Sequence, residues 1–268
     1  MTNPDPDGIW WESAGDPRLP TIVLVHGSMD RSAGLLRLGR RLDDEFHVVR
    51  LDRRGYGRSR RVGPPWTISA NVDDVEEVAS QLGVQLGVTS VRCVIGHSLG
   101  GDVALALAER RPDLVEAVVV YETPLSWLDW WPRDSAGAAA VAAATPADAA
   151  EAFMRRLVGD AVWERLPPAK QEERRSEGAA MVAELADLRR AAPWSSVEVP
   201  VLALCGEHGR DHHRRGTAWL GETLADCRVA TVPGAGHAGP HTHPSAVAAE
   251  IVEFLSGAVT SGALATGG

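Results

Sequence analysis

The feature of this sequence that most constrains its fold is a series of short apolar runs separated by stretches with helical periodicity. Most of the runs are apolar at successive positions, which is typical of parallel strands covered by helices on both faces. The runs are Ile9–Glu12, Thr21–His26, Phe46–Asp52, Val91–Gly96, Ala117–Glu122, Val201–Cys205 and Arg228–Val232. Helical stripes lie between them at Ala70–Leu86, Leu99–Arg110 and Pro244–Leu255. This alternation predicts an α/β fold, a mostly parallel sheet with helices on both faces.

One long segment interrupts the alternation. Residues from about 124 to 196 contain no strand-like run but hold amphipathic stretches such as Asp148–Val158 and Ala169–Arg190. We predict that 124–196 form a helical lid inserted between two strands, so that the core comprises residues 1–123 and 197–256. Residues 257–268 are small and polar, which favours a flexible tail.

The charge of the chain restricts its partners. The formal net charge is −9 and the isoelectric point is about 5.5, which argues against nucleic acid or an anionic membrane surface. The first residues show no signal-peptide pattern, and no apolar run approaches the ~20 residues that span a bilayer. We therefore expect a cytoplasmic protein that acts on a small molecule. The oligomeric state stays open, with a homodimer as one option.

The sequence also argues against metals and cofactors. Its three cysteines fit no zinc motif or disulfide framework, and two of them, Cys93 and Cys205, lie in apolar runs that predict burial. No glycine-rich nucleotide-binding pattern is present, so no cofactor is predicted. Four other histidines lack partners at zinc-ligand spacing and are predicted to lie exposed in loops without a metal. They are His212, His213, His241 and His243.

The strongest chemical signal is the segment Gly96–Gly101, which reads GHSLGG and matches G-x-S-x-G. It lies between an apolar strand and an amphipathic helix, where the chain must turn sharply and lift the Ser98 hydroxyl above the sheet. Side chains two residues before and after Ser98 would collide with neighbouring elements, so glycine is expected at both positions. Ser98 would also stand at a helix N-terminus, where negative charge is favoured. We predict that Ser98 is a nucleophile.

A serine needs a general base to take its proton. His237 lies in the loop after the last strand and before the final helix, within the sequence PGAGHAG. A histidine in this loop can reach over the serine, so His237 is the predicted base.

Together, these motifs resemble those of the α/β-hydrolase superfamily over nearly the whole chain. His26-Gly27-Ser28 is similar to the H-G-x oxyanion loop of that family, and Asp52–Ser59 is similar to its D-x-R-G-x-G-x-S turn. The resemblance implies a sheet of about eight strands. It also implies an oxyanion hole formed by the backbone N–H groups of Ser28 and Leu99, and a structural role for the Asp52–Ser59 turn.

The third member of a catalytic triad, the acid, is where the sequence departs from the family pattern. Most relatives place an aspartate three residues past the glycine that here is Gly206, and this chain has Gly209 there. Two carboxylates could replace it. Glu122 ends a strand at the position where some haloalkane dehalogenases of the superfamily carry a glutamate, and Asp211 lies further along the loop after Gly206. We favour Glu122 over Asp211, with Glu207 or no acid as the remaining options.

The predicted reaction is acyl transfer through a covalent intermediate on Ser98, with hydrolysis of an ester, thioester or lactone of a small, largely apolar substrate. An acyltransferase and a carbon–carbon bond hydrolase could use the same triad. A non-catalytic binding protein is a further alternative, because the usual acid is missing. The predicted pocket residues are Met29, beside the oxyanion loop, and three tryptophans at the start of the insertion, which could instead pack the lid onto the core. These tryptophans are Trp127, Trp130 and Trp131.

Overall fold

A computed structural model of the chain describes Thr2 and residues 7–265, with side chains as far as Gly257. Seven strands form one sheet in the order β1-β3-β2-β4-β5-β6-β7. β1 runs antiparallel to β3, and all other neighbours in the sheet are parallel. The strands are Trp11–Ala14 (β1), Thr21–Val25 (β2), His47–Leu51 (β3), Cys93–His97 (β4), Val118–Tyr121 (β5), Val201–Gly206 (β6) and Cys227–Val232 (β7).

The strands correspond to the seven apolar runs of the sequence, with ends that differ by at most two residues. β1 begins two residues later than predicted, because the fully buried Trp11 pairs with Leu51 of β3. The eighth strand was expected from the family resemblance alone and has no counterpart between residues 7 and 265. The mostly parallel α/β architecture is confirmed.

Eleven α-helices lie in the described part of the chain. α2 begins after Thr67, whose hydroxyl accepts a hydrogen bond from Ala70 N, and ends at Gly87 with φ of 69°. The helices are Leu36–Gly39 (α1), Ile68–Leu86 (α2), Leu99–Arg110 (α3), Ala136–Val141 (α4), Pro146–Val158 (α5), Asp160–Arg165 (α6), Pro168–Ser176 (α7), Gly178–Arg190 (α8), Asp211–Thr223 (α9), Gly239–Thr242 (α10) and Pro244–Ala265 (α11).

The last helix, α11, continues beyond its predicted end at Leu255 as far as Ala265. The backbone of 257–265, predicted to be a flexible tail, is therefore helical, and residues 266–268 lie outside the described part.

The segment between β5 and β6 contains five helices, α4 to α8. The predicted helical stretch Ala169–Arg190 is divided at Glu177 into α7 and α8. A Cβ atom on the next residue, Gly178, would lie 2.0 Å from the Pro146 carbonyl oxygen, so glycine lets α8 begin in close contact with α5.

The sheet is buried on both faces. On β2, Val23 and Val25 belong to one apolar core, while Ile22 and Leu24 belong to the core on the opposite face. Such double burial explains why the strands read as continuous apolar runs. It also leaves the carboxyl ends of the parallel strands as the edge at which polar side chains can meet. Among the described residues, no helix has the length and apolar character needed to cross a membrane.

Candidate active site

Ser98 lies at the sharp turn between β4 and α3. Its backbone has φ of 52° and ψ of −129°, a conformation that is costly for any residue other than glycine. The Ser98 N–H donates to the Tyr121 carbonyl oxygen at 2.9 Å, which ties the turn to the end of β5.

The glycines around this turn are required by close contacts. A Cβ atom on Gly96 would lie 2.3 Å from the Gly100 carbonyl oxygen, and one on Gly100 would lie 2.3 Å from the Val25 carbonyl oxygen. A Cβ atom on Gly27 would lie 2.9 Å from the Ser98 Cβ. The prediction of glycine on both sides of the serine is therefore confirmed, and the loop predicted to form the oxyanion hole also needs glycine where it passes Ser98.

His237 and Glu122 are joined by a hydrogen bond. His237 Nδ1 donates to Glu122 Oε2 at 2.8 Å. This bond fixes the tautomer of a neutral imidazole, because the proton lies on Nδ1 and the lone pair on Nε2. The arrangement matches the orientation of a general base by a carboxylate.

The Glu122 carboxylate is buried and well satisfied. Its Oε1 accepts a hydrogen bond from the Gly206 N–H at 3.0 Å and contacts the Cys205 thiol at 3.3 Å. Burial raises the pKa of Glu122, but the contacts with His213 and His237 outweigh this effect, so its pKa lies well below the usual range. Glu122 is therefore ionised at neutral pH.

The other acid candidates lie elsewhere. Asp211 begins α9, pairs with Arg214 and has a side chain that is 96% exposed. Glu207 Oε2 accepts a hydrogen bond from the Gly234 N–H at 2.8 Å. At the position of the family's usual acid, a Cβ atom on Gly209 would lie 2.4 Å from Glu122 Oε1. The glutamate therefore occupies the space that a side chain on residue 209 would need.

A second histidine, His213, contacts the same carboxylate. Its Nδ1 lies 2.8 Å from Glu122 Oε2, although not in hydrogen-bond geometry, and its ring stacks on His237 with centroids 4.5 Å apart. Burial lowers the pKa of His213, which favours its neutral form. The prediction that His213 is exposed is wrong, because α9 turns this residue inward. The sequence around His213 was not predicted to be helical, so no local pattern indicated which side of α9 faces the core.

Two side chains hold the loop that carries His237. The Tyr121 hydroxyl donates to the Gly236 carbonyl oxygen at 2.7 Å, and His97 Nε2 donates to the His237 carbonyl oxygen at 2.8 Å. Burial and the neighbouring His237 lower the pKa of His97 to about 3, so His97 is neutral. His97 precedes Ser98 in the chain and Tyr121 precedes Glu122, so these hydrogen bonds tie the His237 loop to the ends of β4 and β5.

Asp30 and His241 form a further acid–histidine contact, with Asp30 Oδ2 3.2 Å from His241 Nε2. Burial raises the pKa of Asp30, but the His241 imidazole holds it well below its usual range.

Three of the histidines predicted to be exposed are only partly exposed. They are His212, His241 and His243. The prediction that these histidines lie free in exposed loops is wrong, since all three pack against neighbouring groups.

Two groups of side chains have donor atoms close enough together to hold a metal ion. The donor atoms in each group lie within 4.8 Å of one another. In one group, a cation would compete with the hydrogen bond between His237 and Glu122. The groups are Glu122 with His213 and His237, and Asp30 with His97 and His241.

The residues predicted to form the oxyanion hole border the serine. Ser28 and Leu99 are buried, and within the described residues neither backbone N–H has a protein acceptor. Met29, next to Ser28, has φ of 58°. The backbone of this loop is therefore strained at Met29, directly after Ser28.

A buried polar network supports this loop. Glu184 of α8 accepts hydrogen bonds from the Ser28 hydroxyl at 2.7 Å and the Tyr56 hydroxyl at 2.6 Å, and it pairs with Arg53 at 2.7 Å. Arg53 also donates to the His26 carbonyl oxygen at 2.8 Å. Sequence reasoning missed Glu184, because nothing in its local pattern distinguishes it from an exposed helical glutamate.

A cavity of about 570 Å³ brings the predicted residues together. Ser98, His237, Ser28, Leu99 and Met29 line it, and its other walls come largely from the insertion.

Of the three tryptophans predicted for the pocket, only Trp131 lines this cavity. Trp127 packs against Trp194, with ring centroids 5.6 Å apart, and Trp130 lies under the Arg215 guanidinium at 4.2 Å. The prediction is wrong for Trp127 and Trp130. Trp127 packs within the insertion, because Trp194 also belongs to it, whereas Trp130 joins the insertion to α9 of the core.

Comparison with known proteins agrees with this geometry. Residues 22–250 match the model of the alpha/beta hydrolase family. The chain is 28% identical to a pimeloyl-[acyl-carrier protein] methyl ester esterase from Nitrosospira multiformis, over 92% of this chain and 97% of that protein. It is 34% identical to the sn-1-specific diacylglycerol lipase ABHD11 of Mus musculus, over 40% of this chain and only 34% of the lipase. The crystal structure of a hydrolase from Pseudomonas aeruginosa superposes with a TM-score of 0.72 at 24% identity, covering 95% of this chain and 97% of the other.

The sheet topology, the strained serine turn and the matched residues define the class of protein. The chain belongs to the alpha/beta hydrolase family, and it is a hydrolase enzyme.

Proposed function

We propose that this chain is a serine hydrolase that cleaves an ester, thioester or lactone of a small, largely apolar substrate through an acyl-enzyme intermediate. The observation that carries the proposal is the combination of a strained Ser98 with an oriented base. Ser98 and His237 face one cavity, and His237 Nδ1 donates to Glu122 at 2.8 Å. This bond leaves His237 Nε2 free to accept the Ser98 proton.

The proposed first step forms the acyl-enzyme. His237 Nε2 takes the proton of the Ser98 hydroxyl while Ser98 Oγ attacks the substrate carbonyl carbon. The carbonyl oxygen becomes an oxyanion, which the N–H groups of Ser28 and Leu99 stabilise. Loss of one such donor costs roughly 2.7–4 kcal/mol of transition-state stabilisation. The bond to the leaving group then breaks, and His237 returns the proton to the leaving alcohol or thiol.

The second step releases the acid. His237 takes a proton from water, the resulting hydroxide attacks the acyl carbon, and the proton returns to Ser98 Oγ as the ester bond to the enzyme breaks. Glu122 stays ionised throughout and stabilises the imidazolium that forms in both steps.

The walls of the cavity support an apolar acyl or alcohol group. Apolar side chains from the insertion line it beside Met29 and Leu99, and we propose that the insertion at 124–196 acts as a lid over the substrate. The apolar lining from the insertion consists of Trp131, Phe153, Met154, Leu157, Val158 and Leu185. A relative matched over nearly its full length is named as a methyl ester esterase, which agrees with ester chemistry.

A fluorophosphonate probe tests the nucleophile. We expect the wild-type chain to be labelled and to hydrolyse short p-nitrophenyl esters, and we expect Ser98→Ala to lose both properties. Intact-mass measurement should show one probe per chain, and peptide mapping should place it on Ser98. Labelling of Ser98→Ala at the same rate as the wild type would contradict the proposal.

A further inference from the structure

The cavity above Ser98 carries positive charge in a chain that is otherwise acidic. The whole chain has 27 Lys and Arg residues against 36 Asp and Glu residues. Of the described residues that line the cavity, Asp30 alone carries a carboxylate, and it is already in contact with His241. Four arginines line the same space, namely Arg156, Arg174, Arg189 and Arg210.

Arg189 differs from most arginines of the described chain, because it is partly buried and has no carboxylate partner. Its one hydrogen-bond acceptor within the described residues is the Ser135 hydroxyl, at 2.9 Å from Nη2. Its Nε is buried and has no acceptor among the residues that the structure describes. By contrast, Arg174 in the same cavity pairs with Glu177 at 3.2 Å.

This arrangement is unfavourable for the protein alone. Removing a guanidinium from water without a counter-ion costs free energy, and burial lowers the pKa of Arg189 with no compensating charge. An unpaired, partly buried charge in a cleft beside catalytic groups is typical of a binding site. The planar guanidinium fork offers parallel N–H donors that fit a carboxylate.

The side chains around Arg189 also limit which chemical group of a ligand can lie beside its own charged group. Its neighbours in the cavity are apolar or small, including Leu185 one turn earlier on α8 and Gly137 of α4, whose Cβ would lie 3.2 Å from Arg189 Nη2. The anion would therefore lie beside apolar side chains of the insertion, in the same cavity that Ser98 lines.

We propose that Arg189 binds a carboxylate of the substrate, so that the preferred substrates are esters, thioesters or lactones with an apolar body and a terminal carboxylate. This inference rests on the proposed function and names its substrate class. Arg189 is a specificity-determining residue, distant in sequence from the triad and supplied by the insertion.

Matched pairs of esters test the preference. Monoethyl adipate carries the carboxylate in its acyl part, and ethyl adipamate replaces it with a neutral amide of the same shape. The ω-acetoxyhexanoate anion and its amide form the equivalent pair for the alcohol part. We expect kcat/KM of the wild type to favour the anion by about 10- to 100-fold in one pair, the range for hydrogen bonds to a charged group. That pair identifies the part of the substrate that carries the charge. A ratio near one in both pairs overturns the proposal.

Variants assign the preference to this residue. Arg189→Met should bring the anion-to-amide ratio close to one, and Arg189→Lys should retain part of it. Arg190→Met is the matched control, because Arg190 is the next residue of α8, is exposed and pairs with Asp187 at 2.7 Å. It should leave the ratio unchanged. An Arg189→Met protein that keeps the wild-type ratio contradicts the proposal.

Binding to an inactive protein separates this inference from the proposed function. With Ser98→Ala, calorimetry should show that monoethyl adipate or ω-acetoxyhexanoate binds more tightly than its amide, and that adding Arg189→Met removes the difference. If Ser98 is not labelled and no ester is hydrolysed, the proposed function fails while this comparison still tests Arg189. Equal binding of anion and amide with Arg189 present overturns the inference alone.

Discussion

At the scale of single residues, backbone strain is concentrated around the reacting groups. The only non-glycine residues with positive φ among those described are Met29, Ser98 and Glu122. Each follows the carboxyl end of a strand, and each belongs to the catalytic arrangement that we propose. Such conformations persist only where surrounding contacts enforce them.

Steric overlap prevents residues 122 and 209 from both placing a carboxylate beside His237 without a shift in one of them. Glu122 fills the space next to Gly209, where most relatives carry an aspartate, and a side chain on residue 209 would collide with its carboxylate. The absence of a side chain at Gly209 therefore leaves the space that the Glu122 carboxylate fills. We expect Gly209→Asp in the wild-type background to displace the Glu122 carboxylate rather than add a second acid.

The first prediction concerns the acid. Glu122→Gln should lower kcat by on the order of 10³- to 10⁴-fold, because the amide no longer favours the His237 tautomer with its proton on Nδ1. Asp211→Asn should change kcat by no more than about 2-fold, since Asp211 is exposed and pairs only with Arg214. Steady-state kinetics on one p-nitrophenyl ester compares the two. A larger loss in Asp211→Asn would assign the acid to α9.

How much of the site the sequence could predict depends on the kind of residue. Local patterns predict Ser98 and His237, since each lies shortly after a strand and beside a glycine, whereas the prediction of Glu122 comes from the family resemblance. His213, Glu184 and Arg189 reach the site from α8 and α9. Their contacts depend on how whole helices pack, which no local pattern encodes.

At the scale of elements, the strands were easier to predict than the helices. Burial on both faces makes a parallel strand apolar throughout, so the seven runs were visible. Short helices such as α1, α6 and α10 lack a long stripe, and their ends depend on tertiary contacts. The division between α7 and α8 depends on the close approach of Gly178 to α5, which no periodicity shows.

The loop after β7 depends on hydrogen bonds from other elements, which leads to a second prediction. Tyr121→Phe removes the donor to the Gly236 carbonyl oxygen. We expect the free energy of unfolding to fall by about 1 kcal/mol. We also expect kcat/KM to fall by between about 10- and 100-fold, because the His237 loop loses an anchor.

Urea unfolding and ester kinetics measure the two effects. Ser176→Ala is the control, because its hydroxyl also donates to a carbonyl oxygen, that of Glu173 at 2.8 Å, but lies exposed on α7. This variant should leave kcat/KM unchanged. If Tyr121→Phe also leaves kcat/KM unchanged, Tyr121 has no part in positioning the base.

At the scale of the whole molecule, buried neutral histidines make stability depend on pH. Burial and the Arg53 guanidinium lower the pKa of His26 to about 4, and burial lowers the pKa of His97 to about 3. In the unfolded chain, histidine has a pKa of about 6.5. Below that pH the two histidines bind protons in the unfolded chain but stay neutral in the folded chain. The stabilisation is therefore complete above about pH 6.5 and is lost as the pH falls towards these lowered values.

The third prediction concerns how the free energy of unfolding changes with pH. The free energy of unfolding should decrease between about pH 7 and about pH 4.5, by at most about 1.4 kcal/mol per pH unit for each histidine. His26→Gln should flatten the slope, because it removes a group that must stay neutral to accept the Arg53 N–H at 2.9 Å. Urea unfolding across this range measures it. The exposed His208→Gln should keep the wild-type slope, and an equal slope in His26→Gln would contradict the assignment.

The contact between Glu184 and the Ser28 hydroxyl has a consequence for how relatives of this enzyme can diverge. The segment that lines the cavity also holds the Ser28 loop beside Ser98, so under the proposed mechanism a change in this segment would affect both substrate recognition and rate. A chimera that received the helices of another hydrolase would inherit its selectivity only if the donor segment also brought an acceptor for Ser28, Tyr56 and Arg53. Without that acceptor, the grafted enzyme would contain a buried, uncompensated guanidinium beneath its reaction centre.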